Sequence, residues 1–285
     1  MELTVIAIDI AKKVFQLHWV EPDAGVITRL KLKRAQVLSW FANRIPSRVA
    51  MEACGGAHEW GRELTKLGHD VRLLPPKMVR PFVHRNKTDA ADAQAIWTAC
   101  QQPGIRFVPV KTEAQQTVLA LHRLRAQLMK MRIMQTNEIR GLLYEFGIVI
   151  PEGHRALLTE LPDALLQAQR RLPAMVIDSL DEQVRRIKQL DADIGTIERR
   201  LSQQLRESPA CKTLAEIPGV GLLTATAIVA SMGSPQAFKD AREFAAWVGL
   251  VPRQTGTGGK VHQLGISKRG DAYIQTLLIH IGTWL

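Results

Sequence analysis

The run Thr4-Val-Ile-Ala-Ile-Asp9 is short, apolar and rich in β-branched residues, and it ends on a carboxylate. That combination reads as a buried strand whose last side chain leaves the core. Working outward, Val14-Phe-Gln-Leu-His-Trp-Val20 alternates well enough to pair beside it. Gly25-Val-Ile-Thr-Arg-Leu-Lys-Leu-Lys33 alternates apolar with basic residues, as a half-exposed third strand does. Pro22, Asp23 and Gly25 supply the turn between them. The pattern then predicts a helix over 35–43, a strand at Arg48-Val-Ala-Met-Glu52 stopped by Gly55-Gly56, and a helix over 58–67 closed by Gly68. A fifth strand over 70–74 ends at Pro75-Pro76. Three consecutive strands followed by helix, strand, helix, strand and helix describe a mixed sheet with helices packed on it.

Beyond residue 112 the character changes. Glycine becomes scarce, and Val118, Leu121, Leu124, Leu128 and Met131 recur at spacings of three and four. Val184, Ile187, Leu190, Ile194, Ile197 and Leu201 do the same with charges between them. These are amphipathic helices, read as the two arms of a long hairpin with a coiled-coil seam. Gly147, Pro151 and Gly153 mark the break between the arms, and Pro162 and Pro173 are expected to interrupt the second arm's approach. From Ser208 glycine and proline return, with helices expected at 213–216, 222–232, 241–248 and 271–281 and a glycine-rich loop over 253–268. The fold class is thus α/β plus all-α, in three regions: 1–108, 109–207 and 208–285.

The 285 residues carry 38 Lys+Arg against 27 Asp+Glu, a net charge of +11. Such a surplus points toward a polyanion, nucleic acid before an anionic membrane surface. No apolar run approaches the ~20 residues that span a bilayer, and the N-terminus lacks a signal peptide's basic start. Three widely spaced cysteines, Cys54, Cys100 and Cys211, fit a reduced cytosolic chain better than a disulfide framework or a zinc site.

The acidic residues carry the chemistry. Asp9 ends the first strand and Glu52 the fourth, while Asp89 and Asp92 are three apart in Lys87-Thr-Asp-Ala-Ala-Asp-Ala93, on one helical face. Taken singly, each is an ordinary strand end or helix cap. Grouped carboxylates repel one another unless hard cations compensate them, and magnesium takes oxygen ligands. Two such ions ~4 Å apart activate the attacking oxygen and stabilise the leaving oxygen of a phosphodiester. Acid after the first strand, acid after the fourth, then an acidic pair on a helix after the fifth is the layout of an RNase H-like nuclease core.

Ala7-Ile-Asp-Ile-Ala-Lys12, Met51-Glu-Ala-Cys-Gly-Gly56 and Lys87-Thr-Asp-Ala-Ala-Asp-Ala-Gln-Ala-Ile96 closely resemble the DEDD transposases of bacterial insertion sequences, the IS-one-ten and IS-eleven-eleven families, with Piv-type invertases as relatives. The resemblance covers nearly the whole chain. It implies a RuvC-like, RNase H-fold catalytic domain over 1–108 whose tetrad maps onto Asp9, Glu52, Asp89 and Asp92 and binds Mg2+ at a two-ion site. It also implies a helical hairpin for dimerisation and a C-terminal transposase domain. The partners implied are DNA, a structured noncoding guide RNA and further copies of the chain, as homodimer or tetramer, in the bacterial cytoplasm at the nucleoid and without a membrane. Family members continue past the helix that closes this sequence, so it reads as a member cut short.

Two C-terminal motifs complete the expectation. Ile217-Pro-Gly-Val-Gly221 reads as a tight turn between helices, with Gly219 and Gly221 letting exposed amides face an anion, as in a helix-hairpin-helix on DNA phosphates. Gly249-Leu-Val-Pro-Arg-Gln-Thr-Gly-Thr-Gly-Gly-Lys260 and Gly265-Ile-Ser-Lys-Arg-Gly270 combine glycines, hydroxyls and Arg253, Lys260, Lys268 and Arg269, suited to a phosphate backbone. The resemblance places a nucleophilic serine in this loop, which attacks DNA to form a covalent intermediate. No serine lies between Arg253 and Ser267, so Thr257 or Thr255 takes the role, with Ser267 third. Further basic residues form an electrostatic footprint: Arg29, Lys31, Lys33 and Arg34 on the third strand, then Lys77, Arg80, His84, Arg85 and Lys87 before the acidic helix, with more along the long helix. His58, His69 and His122 show no ligand spacing. The leading expectation is a transposase/recombinase that cleaves and rejoins DNA; a RuvC-like structure-selective endonuclease and a catalytically impaired nucleic-acid-binding remnant are the alternatives.

Overall fold

The computed structural model describes residues 3–83, 89–258 and 260–282, with Asp89, Ile281 and Gly282 by their backbone alone. It divides into two compact units, Met1–Ala114 and Gln115–Leu285.

In the first unit, β1 (Val5–Asp9), β2 (Val14–Val20) and β3 (Ile27–Lys33) form an antiparallel meander, because the connections between them are short. β4 (Arg48–Glu52) and β5 (Asp70–Leu74) are reached through helical crossovers, α1 (Val37–Ala42) and α2 (Ala57–Lys66), and so run parallel to β1 and to each other. The sheet order is β3-β2-β1-β4-β5, with β1 central. Helix α2 ends where Gly68 takes φ +90°. There the His69 amide reaches back to the Leu64 carbonyl at 3.1 Å and the Gly68 amide to Thr65 at 3.0 Å. This double bond pattern needs a left-handed residue, which glycine adopts without a Cβ penalty.

The sheet's two faces are dressed differently. Ile6, Ile8, Val49 and Met51 point into a core of bulky residues that includes Phe15, Leu17, Phe41, Trp60 and Leu64. Ala7 and Ala50 point the other way, against Ala95, Ile96 and Ala99 of α4 (Asp89–Cys100), which follows the short α3 (Pro76–Val79). Alanine on that face lets the α4 backbone lie close to β1.

The second unit opens with three helices, α5 (Glu113–Glu145), α6 (His154–Gln169) and α7 (Ala174–Glu207). Arg125 pairs with Glu198 and Arg132 with Asp191, both at 2.8 Å, so α5 and α7 run antiparallel. Ile139 and Leu143 of α5, Leu157, Leu161 and Leu165 of α6, and Ile177, Leu180 and Ile187 of α7 share one apolar core. Contrary to the sequence expectation, Pro162 does not break the chain; α6 runs through it. An interior proline removes one hydrogen bond and costs about 3 kcal/mol, which the buried Leu157–Leu161–Leu165 stripe outweighs. Pro173 does stop α6 from continuing into α7.

The remaining elements are α8 (Pro209–Ala215), α9 (Leu222–Met232), α10 (Ala241–Val248), β6 (Pro252–Thr255), β7 (His262–Ile266) and α11 (Ala272–Gly282). Helix α8 starts earlier than its sequence pattern suggested, because the Ser208 hydroxyl caps the Cys211 amide and Pro209 takes the first position. The glycine-rich stretch is a second correction: it is an antiparallel hairpin, with Thr255 opposite His262. Among the described residues, no helix is long and apolar enough to cross a membrane.

Candidate functional site

Asp9 and Glu52 close β1 and β4, and the parallel pairing of Ile8 with Met51 brings these two strand ends side by side. Alternation puts both carboxylates on the alanine face, one step beyond Ala7 and Ala50, and both are half-buried. The Cys54 thiol registers their proximity, since its pKa is raised by burial first and then by Glu52 and Asp9 together. The backbone after Glu52 is fixed by hydrogen bonds from Ala53 to the Leu74 carbonyl and from Cys54 to the Glu52 carbonyl, both at 2.8 Å. Gly56, at φ +86°, then turns the chain into α2.

Helix α4 is pinned by its far end. The Trp97 indole donates to the Val5 carbonyl at 3.1 Å and packs edge-on against His18, at 5.8 Å between ring centroids. Because Trp97 lies at the start of β1, the helix runs back along the strand and carries its first turn, with half-buried Asp92, toward the end that bears Asp9. The Asp89 backbone opens α4; its side chain, and Arg85 and Lys87, lie outside the described residues. Among the described residues no three His, Cys, Asp or Glu side chains gather closely enough to hold a metal ion. Asp9, Glu52 and Asp92, the described members of the expected tetrad, are all carboxylates, a chemistry that suits a hard, oxygen-seeking cation and not a thiolate-seeking one. Arg80, just upstream, is exposed.

In the second unit, α8 and α9 are joined by a tight turn in which Gly219 takes φ +82° and the Val220 amide bonds the Ile217 carbonyl at 2.9 Å. Gly221 precedes α9 with no side-chain cap, so the helix opens on backbone amides. In the β6–β7 hairpin, Arg253, Thr255, Thr257 and Lys260 are all exposed. Gly256 must lack a side chain there, because a Cβ would run into the Lys260 carbonyl. Ser267 is placed differently: its hydroxyl donates to the Gly249 carbonyl at 3.1 Å. That oxygen also accepts from the Gln275 side chain at 2.9 Å and the Lys268 amide at 3.2 Å. Ser267 thus helps to hold a close crossing in which a Cβ on Gly270 would strike the Val248 carbonyl. Lys268, at φ +52°, and Arg269 flank that crossing and are exposed.

Sequence spacing missed one polar network. His122 of α5 is 2% exposed. It bonds the Tyr273 hydroxyl of α11 at 2.9 Å and the Thr226 hydroxyl of α9 at 3.0 Å. The Thr226 hydroxyl donates to the Leu222 carbonyl at 2.7 Å, so it accepts from His122, and the imidazole is the Nε2–H tautomer taking the Tyr273 proton at Nδ1. Burial, aided by Arg125, lowers the His122 pKa to about 4. The partners are 104 and 151 residues away, beyond any local pattern.

Residues 6–148 match a DEDD-type model of the IS110 group described as "Transposase", and residues 211–284 match the "Transposase IS116/IS110/IS902 family". These two matches, the first over the first unit and the opening of the second, the other within the second, define a transposase of insertion sequences. The chain belongs to the IS110/IS116/IS902 transposase family. It is 44% identical to a "Probable family 20 transposase" of Pseudomonas aeruginosa, over 98% of this chain and 83% of that one. It is 40% identical to the transposase of element IS1111A of Coxiella burnetii, over 98% and 77%, and 39% identical to that of element IS1328 of Yersinia enterocolitica, over 97% and 82%.

Proposed function

We propose that this transposase cleaves and rejoins DNA phosphodiesters with the carboxylates of Asp9, Glu52, Asp89 and Asp92 and a hydroxyl of the β6–β7 hairpin. The observation that carries the reading is the placement of Asp9 beside Glu52 at the ends of the two central parallel strands, with the first turn of α4 directed to the same end. The strand order, with β1 central between an antiparallel meander and a parallel pair, supports an RNase H-like, RuvC-like catalytic unit. In this reading residues 1–108 are the catalytic domain, 109–207 the dimerisation region and 208–285 the transposase domain.

The four carboxylates would hold Mg2+, which supplies the Lewis acidity that activates an attacking oxygen and stabilises a departing one. The protein's own part is to present acceptor oxygens from rigid strand ends. The exposed Thr257 or Thr255 hydroxyl oxygen would bond to phosphorus as the bridging P–O bond breaks. Its proton passes to solvent and the departing oxygen takes one up, so that rejoining is the reverse step. Arg253, Lys260, Lys268 and Arg269, the amides after Gly219 and Gly221, and Arg80, Arg85 and Lys87 would contact phosphates. The +11 net charge also supports the guide RNA that the family reading implies.

Hydrolysis by water, as in a junction endonuclease, is favoured by one observation: the Ser267 hydroxyl is committed to the Gly249 carbonyl. Trapping a covalent protein–DNA adduct in denaturant decides between them. The expected result is a magnesium-dependent adduct lost in Thr257→Ala or Thr255→Ala, kept in Ser267→Ala, and absent with all cleavage in Asp9→Ala. Cleavage without an adduct would leave hydrolysis, and cleavage by Asp9→Ala at the parent rate would remove the carboxylate mechanism.

A further inference from the structure

The basic run on β3 is divided between two environments. Leu30 and Leu32 pack into the bulky core with Phe15, Leu17 and Trp19. Alternation therefore sends Arg29, Lys31 and Lys33 to the opposite face, the one covered over β1 and β2 by α4. The Arg29 guanidinium confirms the side, donating to Gln94 of α4 at 3.2 Å. Arg34, one residue beyond the strand, turns to the other face, its guanidinium 5.1 Å from the Trp60 ring centroid and 5.9 Å from that of Phe15.

Arg29, Lys31 and Lys33 are all exposed and stand ~7 Å apart, with one strand residue between neighbours. Their register leads to the acidic pair: Lys31 lies opposite Gln16, Gln16 opposite Asp9, and Glu52 follows on the next strand. Lys12 and Lys13, exposed in the β1–β2 turn, extend the positive charge at the Asp9 end. Neither β2 nor β3 contains an acidic residue to offset it. A regular row of exposed cations whose middle member, Lys31, is in register with Asp9 two strands away is complementary to a phosphate backbone that passes the acidic pair.

We infer that the Arg29–Lys31–Lys33 row is a phosphate track for the DNA strand brought to Asp9 and Glu52. The inference rests on the carboxylate reading for its direction, and binding is measured independently of cleavage. Duplex DNA binding by the full chain is followed by fluorescence anisotropy across a salt series, with a chelator present. Each lost phosphate contact lowers the slope of log K against log salt by ~0.9. Lys31→Gln is expected to lower it by about 1, and the Arg29→Gln/Lys31→Gln/Lys33→Gln variant by about 2–3. Arg34→Gln removes the same charge from the other face and leaves the slope unchanged.

Equal effects of Lys31→Gln and Arg34→Gln would reduce the track to net charge and overturn it, as would a loss seen only with an RNA probe. An unchanged slope with an altered oligomeric state would assign the β3 edge to strand pairing with another chain and also overturn it. If the slope falls while Asp9→Ala still cuts DNA, the track stands and the carboxylate mechanism falls; the opposite pair of results does the reverse.

Discussion

Asp9 and Glu52 end strands whose three central residues are fully buried, whereas Thr255 and Thr257 sit on a hairpin exposed along nearly its whole length. The first pair is positioned by close packing on both faces of a sheet, so its geometry is inherited from the core. The second is positioned by a two-stranded ladder and by glycines that permit tight turns. Under the proposed mechanism, a ligand set that must match a cation's geometry would need the former, and a nucleophile that must reach a phosphate in a large substrate would tolerate the latter. The sharpest way to break this contrast is Glu52→Gln, which keeps volume and packing but removes one charge from the acidic pair. Cleavage should fall ~10³-fold or more, the several kcal/mol a metal site contributes, with the thermal transition unchanged. Retention of cleavage would show that the strand-end carboxylates carry no chemistry.

The same contrast explains what could be read from the sequence. Strands β2, β4 and β5 have the bounds their patterns predict, because cores on both faces of the sheet bury residues such as Phe15, Val49 and Leu74 and turn residues stop the runs. Asp9 and Glu52 were legible for the same reason, as acids that end apolar runs. The β6–β7 hairpin was not, since strands with neither face buried impose no alternation and their glycines read as loop. The fate of Arg34 was equally hidden: the strand ends at Lys33, and only the following turn decides that its guanidinium lies over Trp60. Pro162 misled because a local rule, that proline breaks helices, was outweighed by packing along the whole of α6.

The buried polar network of the second unit sharpens the comparison at a lower energy. His122 is neutral in the fold, with a pKa of about 4 against 6.5 when unfolded. Between those values the unfolded chain binds the additional proton, so stability rises with pH and is lost as pH falls from 6.5 through 4. The full effect is about 3 kcal/mol. His122→Gln removes this titration. The stability difference between parent and variant, from urea unfolding, should therefore shrink by about that amount between pH 7 and pH 4. A constant difference would mean that His122 is not held neutral by its burial.

The smallest effect is expected where the second unit relies on ions. Asp191 of α7 takes Arg132 of α5 on one oxygen and His154 of α6 on the other, both at 2.8 Å, with side chains 19–29% exposed. Partly exposed ion pairs contribute little, so Asp191→Asn should destabilise by about 1 kcal/mol, since the amide keeps one acceptor and the shape. Salt separates this site from the His122 network. Raising ionic strength to about 1 M shortens the screening length to ~3 Å and should erase most of the Asp191→Asn difference. The His122→Gln difference at pH 7 should persist, because neutral hydrogen bonds inside a core are not screened. If the Asp191→Asn difference persisted instead, the Arg132–Asp191–His154 junction would be acting through hydrogen-bond geometry, like the His122 network and unlike a surface ion pair.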